Sequence, residues 1–172
     1  MKRNRGRWLL LLGVLLVTVD QVIKILVKTN MELGESFPVI GDFMRIAFVE
    51  NEGMAFGMAF GGVAGKYVLT TLRLALFCVL TWWIGSLCKK GDTPSGVLAG
   101  LTLIDAGALG NILDCLFYGL IFTPHVPFMQ GRVVDMFSFS IFPPVFNFAD
   151  SLVTVGAFYL ILFHWKFFAS SK

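Results

Sequence analysis

Apolar positions run through this chain in four long blocks, each interrupted by only one to a few polar residues. They are Trp8–Val27, Tyr67–Cys88, Ser95–Tyr118 and Val145–Phe168. A helix needs about 20 mostly apolar residues to cross the hydrocarbon of a bilayer, so each block predicts a membrane span. The segments between them differ. Lys89–Pro94 is a short turn with Gly91 and Pro94 as turn residues. Met31–Gly65 alternates apolar and polar positions around Phe43, Ile46 and Phe48, which predicts a small β element. Leu120–Pro144 carries Pro124, Pro127, Pro143 and Pro144 and predicts an irregular loop. No internal repeat is evident.

Composition agrees with a membrane location. Of 172 residues, 56% are apolar and only 15% charged, and the mean hydropathy is +0.78. A water-soluble chain of this length buries only about 60–70% of its surface and has nowhere to hide so much apolar area. Disordered, nucleic-acid-binding and disulfide-framework classes are excluded on the same grounds. The first block follows Lys2, Arg3, Arg5 and Arg7 as a signal peptide would. It is too long, contains Asp20 and Lys24, and lacks a small-residue cleavage site, so it reads as a retained span. With both termini inside, Lys2, Arg3, Arg5, Arg7, Lys89, Lys90, Lys166 and Lys172 are cytoplasmic, against Lys28, Arg45, Lys66 and Arg132 outside. Eight against four favours the N-in, C-in arrangement. The expected fold is therefore an all-α membrane protein of four transmembrane helices with a small β-containing outer element. The single domain covers 1–172, with outer segments 31–65 and 120–144.

Polar residues inside spans are costly and mark functional candidates. Asp20 and Lys24 lie in the outer half of span one, Asn111 and Asp114 near the outer end of span three, and Asn147 and Asp150 in the first turns of span four. At 1.5 Å per residue Asp150 lies roughly 7 Å below the start of its span. Three helices thus bring polar groups to one depth, and Asp135 reaches it from the preceding segment. Asn111 with Asp114, and Asn147 with Asp150, are three apart and share a helix face. Asp20 and Lys24 have ion-pair spacing. Ala106 and Gly110 form a small-xxx-small step for close helix packing. Each of these also has a structural reading, as an ion pair or as interhelical hydrogen-bond glue. Asp105 falls on the opposite face of span three, outside the cluster, and a mutual pairing is the account the sequence offers for it and for Arg73.

Five motifs in chain order carry a resemblance. They are Asp20-Gln21-x-x-Lys24, Asn51-x-Gly53-x-Ala55-Phe56-Gly57, Gly107-Ala108-Leu109-Gly110-Asn111-x-x-Asp114, Gly131-x-Val133-Val134-Asp135 and Phe146-Asn147-x-Ala149-Asp150. Together they resemble the lipoprotein signal peptidases (signal peptidase II), aspartic endopeptidases of the bacterial cytoplasmic membrane. The resemblance implies that Asp135 and Asp150 are the catalytic pair. Asn51, Gly53, Asn111, Asp114 and Asn147 would line the site, and Asp20 and Lys24 would support the packing beneath it. The implied substrate is a prolipoprotein, cut before a cysteine that carries a diacylglyceryl group. Membrane lipid and a cyclic peptide antibiotic of the globomycin type are implied partners, with no nucleic acid. The implied location is multi-pass in the inner membrane, with the active site facing outward. The chain departs from the family in two places. Cys115 stands where the family usually has Arg, leaving Arg132 as a substitute, and the Phe122–Gln130 stretch forms an extra loop with scope to cover the site.

The chemistry suits these residue types. Two carboxylates around one water supply a base and an acid when their mutual repulsion keeps one of them protonated, and asparagine amides suit an oxyanion. No metal or cofactor is called for. The Gly53–Gly62 stretch is a candidate clamp over lipid. The competing readings are a proton-coupled transporter using Asp114 and Asp150, a thiol enzyme using Cys115 and His125, and a membrane scaffold.

Overall fold

The computed structural model describes residues 2–52 and 62–169. Helix α1 spans Lys2–Asn30, α2 Gly62–Lys90, α3 Ser95–Leu113 and α5 Phe148–Ala169; α3 continues through a π-helical turn, Asp114–Tyr118, into the last turn α4, Gly119–Phe122. The four long helices are long and apolar enough to cross a membrane. Their outward faces carry Leu, Val, Phe and Trp, including Leu11, Trp82 and Phe163, as expected where the solvent is hydrocarbon rather than water. α1 and α2 are longer than the apolar blocks that announced them, as is α3 when its π turn and α4 are counted with it, whereas α5 is shorter. That helix starts at Phe148, because Val145 and Phe146 belong to a strand.

α3 is the central helix and packs against α1, α2 and α5. Close packing with α1 depends on Gly110, where an added Cβ would lie 2.5 Å from the Oδ2 of Asp20. At one end Arg5 donates to the Thr93 carbonyl oxygen at 2.6 Å, which fixes the amino-terminal end of α1 beside the α2–α3 turn. An apolar cluster of Leu87, Val97, Leu98, Leu101 and Leu160 fills this end.

At the other end lies a four-stranded antiparallel sheet in the order β1 (Ser36–Ile40), β2 (Met44–Asn51), β3 (Val133–Phe139), β4 (Phe142–Phe146). The expected small β element is thus larger than the sequence foretold. The segment 120–144, expected to be an irregular loop, supplies all of β3 and most of β4. Its Pro143 and Pro144 sit in β4, and Pro38 sits in β1. β1 and β4 are the edge strands, where a missing backbone donor is tolerated. β3 alternates faces along its length. Val134 and Met136 join Val27, Phe48 and Tyr118 in the core beneath the sheet, while Val133, Asp135 and Phe139 line a cavity.

Candidate active site

The cavity has a volume of about 900 Å³ and lies between the sheet and the helices. Its polar wall includes Asn51, Asn111, Asp135, Asp150 and Arg73; Phe43, Phe139, Phe142 and Phe146 supply much of the apolar wall. Asp135 arrives on β3 and Asp150 on the first turn of α5, so the two carboxylates come from different layers of the fold.

Asparagines hold both carboxylates. Asn51 pairs with Val133 across β2 and β3, which sets its side chain diagonally beside Asp135 on the same face. Its Nδ2 donates to Asp135 Oδ2 at 3.1 Å. Asn147 Nδ2 donates to Asp135 Oδ1 at 2.6 Å and to Asn111 Oδ1 at 3.1 Å. Asn111 Nδ2 donates to Asp150 Oδ1 at 2.8 Å.

Asn147 and Asp150 also cap α5 reciprocally. The Asp150 amide donates to Asn147 Oδ1 at 2.9 Å, and the Asn147 amide donates to Asp150 Oδ2 at 3.2 Å. This is the capping-box exchange that satisfies otherwise orphaned amides at a helix start. It places Asn147 just ahead of the helix rather than on its face. A third first-turn amide, that of Ala149, donates to Asp20 Oδ1 of α1 at 2.9 Å.

Beneath the cavity lies a dry ionic layer. Lys24 pairs with Asp20 at 2.9 Å and with Asp114 at 2.7 Å, and all three side chains are fully buried. Lys24 also donates to Asn111 Oδ1 at 2.8 Å. Gln21 donates to Asp114 Oδ1 at 2.9 Å and accepts from the Tyr118 hydroxyl at 3.1 Å. Among the described residues no buried side-chain nitrogen or oxygen lacks a partner. Asp114 is part of this layer and not of the cavity wall; its Oδ2 receives the Val134 amide at 3.4 Å and so ties β3 to α3. The π turn that begins at Asp114 frees carbonyls of the helix, and the Gly131 amide takes that of Cys115 at 2.9 Å. A Cβ at Gly131 would lie 2.1 Å from the Asp114 carbonyl oxygen, so the approach requires glycine.

Asp135 is only 2% exposed. Burial raises its carboxyl pKa, the neighbouring Asp150 raises it further, and the Asn51 and Asn147 donors with the Lys24 charge pull it back, leaving it at about 6. From about pH 6 downward, half or more of this group therefore keeps its proton.

Several expectations move. Gly53 and most of the Gly53–Gly62 stretch lie outside the described residues. Arg132 does not enter the cavity: it bonds Glu52 at 2.8 Å and Glu50 at 3.5 Å. The 122–130 loop does not cover the cavity either. It lines a second, smaller one of about 380 Å³ that also holds His125. Cys115 is buried within the π turn and does not line the cavity that holds His125. Asp105 accepts from the Thr81 hydroxyl at 3.0 and 3.1 Å. Arg73 stands eight residues, roughly 12 Å, along α2 from Thr81, and donates to Cys115 Sγ at 3.8 Å. The Arg73–Asp105 pairing is accordingly replaced by these two. Gln21 is quoted only as part of its motif and Arg73 only as an intraspan charge, and Tyr118 is not singled out by the sequence pattern at all. A charged group within a span is the available signal for Arg73.

Residues 12–166 match the family model described as Signal peptidase (SPase) II. The chain is 37% identical to a lipoprotein signal peptidase of Porphyromonas gingivalis, over 92% of this chain and 83% of that protein. It is 36% identical to a lipoprotein signal peptidase of Desulfitobacterium hafniense, over 84% of this chain and 83% of the relative. A solved bacterial membrane enzyme superposes with a TM-score of 0.68 at 28% identity, covering 95% of this chain and 91% of that one.

Proposed function

This chain belongs to the signal peptidase II family and is a multi-pass membrane peptidase that removes signal peptides from prolipoproteins; on that premise we propose that Asp135 and Asp150 are its catalytic pair. The observation that carries this reading is their convergence on one cavity, each carboxylate held by asparagine amides. The scissile bond is the one preceding a diacylglyceryl-modified cysteine. The long apolar wall suits the acyl chains, while the two carboxylates meet the peptide.

In the reaction the dyad shares one proton. The ionised carboxylate takes a proton from the attacking water, and the protonated one donates to the carbonyl oxygen. The resulting tetrahedral carbon collapses, the C–N bond breaks, and the amine leaves with a proton from the dyad. The products are a signal-peptide carboxylate and a free α-amino group on the lipidated cysteine. Because the two groups titrate together, the acid and base roles belong to the pair. Asn51, Asn111 and Asn147 keep the carboxylates in register, while Asp20, Lys24 and Asp114 form the base on which Asn111 stands.

The chain works as one domain in a bacterial inner membrane. Its basic flanks put both termini in the cytoplasm and the sheet with its cavity on the outer side. Cyclic peptide antibiotics of the globomycin type, peptidic and lipophilic as the substrate is, would compete for the same cavity.

The test is a gel-shift assay with purified protein in detergent and a diacylglyceryl-modified proprotein. Wild type and Cys115→Ala should cut it; Asp135→Asn and Asp150→Asn should not. Cleavage retained by either folded Asp variant would remove that residue from the pair.

A further inference from the structure

The two cavities lie on opposite faces of the same strand ends. Successive side chains of a strand point to opposite sides of the sheet. Where β2 runs beside β3, Asn51 pairs with Val133 and Glu50 with Val134. Asn51, Val133 and Asp135 line the cavity of the two carboxylates. Glu50, Glu52 and Arg132 line the smaller, charged one.

Asn51 and Val133 form the last pair of this ladder, and a strand frays where its pairing stops. Asn51 nevertheless keeps its amide 3.1 Å from Asp135 Oδ2. Side chains in the smaller cavity supply what the ladder lacks. Lys66 of α2, only 4% exposed, donates to Glu52 Oε2 at 3.1 Å and to the Gln130 carbonyl oxygen at 3.0 Å. One ammonium thus ties the chain just after β2 to the chain just before β3. Arg132 closes the same gap by donating to Glu52 Oε1 at 2.8 Å and to Glu50 at 3.5 Å, and Glu50 pairs with Lys28 of α1. Partial burial opposes the Glu52 charge, but Lys66 and Arg132 outweigh it and hold its carboxyl below the ordinary carboxylate range. The clip is therefore ionised wherever Asp135 titrates.

Resting on the proposed peptidase reading, we infer that Glu52 and Lys66 are positioning residues whose clip across the end of the β2–β3 ladder holds Asn51 against Asp135 from the far side of the sheet. Neither lines the cavity of the carboxylates. A pair as exposed as Glu52–Arg132 adds little to stability, so the clip contributes geometry. Its effect has a sign of its own. Loss of the Glu52 charge, acting through space, would lower the Asp135 pKa, because a nearby negative charge disappears. Loss of the clip raises it, because the Asn51 donor no longer steadies the charged form. Asp150 of α5 and Lys24 of α1, the other charges bearing on Asp135, stay in place in both cases.

The pH dependence of kcat/KM gives the test, with full-length protein in detergent and a lipidated peptide substrate. The limb to follow is the alkaline one, which Asp135 should set. Glu52→Ala should move that limb to higher pH, as Asn51→Ala does. It should lower kcat about 10-fold at an unchanged KM, short of the roughly 10²-fold that misplacement by an ångström costs. Glu52→Gln, whose amide oxygen still accepts from Lys66, should shift the limb less. Added to Asn51→Ala, Glu52→Ala should move it no further. A limb that stays put or moves to lower pH in Glu52→Ala overturns the inference, as does a further shift in the double variant. Asp135→Asn and Asp150→Asn run alongside separate this from the parent reading: if they still cut, the dyad itself is wrong.

Discussion

Lys24 and Asp150 do not pair directly, yet the Asn111 amide fixes one to the other. Lys24 Nζ lies 2.8 Å from Asn111 Oδ1, and Asn111 Nδ2 lies 2.8 Å from Asp150 Oδ1. An ammonium only donates, so the amide oxygen must face Lys24 and the NH₂ must face the carboxylate. The buried lysine thereby sets the polarity of a bond at the cavity wall.

Removing that lysine should therefore cost both stability and activity. Lys24→Met leaves Asp20 and Asp114 buried without their cation, a change worth about 3–5 kcal/mol of destabilisation. Thermal unfolding in detergent should show a large drop, partly recovered by adding Asp114→Asn. A Tm indistinguishable from wild type would mean the ionic layer is dispensable.

Asn111→Asp tests the relay itself. Lys24 keeps an acceptor, so the fold should survive, but Asp150 loses its donor and gains a like charge. kcat should fall by about 10²–10³, the cost of losing one well-placed active-site donor, while circular dichroism and Tm stay near wild type. Undiminished turnover would detach Asn111 from the chemistry.

Asp135 sets the expected pH dependence. Its pKa is raised to about 6 from an unfolded value near 3.9, so the folded state binds the extra proton between these values. Stability from this group is full below pH about 4 and is lost as pH rises through about 6. The same proton is the dyad's acid, so log kcat/KM should fall on the alkaline side of about pH 6. Asn51→Ala, which removes a donor to the charged form, should move that limb to higher pH. A limb that stays put in Asn51→Ala would assign it to another group.

Gly110→Ala should loosen α1 from α3, because the new methyl would meet Asp20 Oδ2 at 2.5 Å. Overpacking of this kind costs about 1–3 kcal/mol, and the Asp20 bond to the Ala149 amide should weaken with it. Unfolding in detergent measures the first effect and the cleavage rate the second. Wild-type values in both would show that the two helices have room to spare.

Hydrophobic blocks make the four spans legible, since nothing but a helix satisfies its backbone within a single segment in hydrocarbon. The two carboxylates are legible because the motifs around them resemble a family. Strands β3 and β4 are hidden by Pro143 and Pro144, which read as loop until an edge position makes them acceptable. The spacing of Asn147-x-x-Asp150 suits one helix face and a capping box equally, and chain geometry at the start of α5 decides for the cap. Asp114 shares its motif with Asn111, but its carboxylate is taken up by Lys24 and Gln21 of the neighbouring α1, which a reading along α3 alone does not reveal. Arg73 is invisible to motif reading, since its partner Cys115 comes from another helix.

The prolines of the two edge strands bear on how a substrate is read. Strand addition needs a row of unpaired backbone donors and acceptors along a sheet edge, and Pro38 interrupts that row on one edge as Pro143 and Pro144 do on the other. An incoming signal peptide therefore cannot zip onto this sheet as a fifth strand. Among the described residues, the hold on it that remains comes from side chains within the cavity. Such a grip is indifferent to most of the peptide's residues, which is what one peptidase serving many different precursors requires.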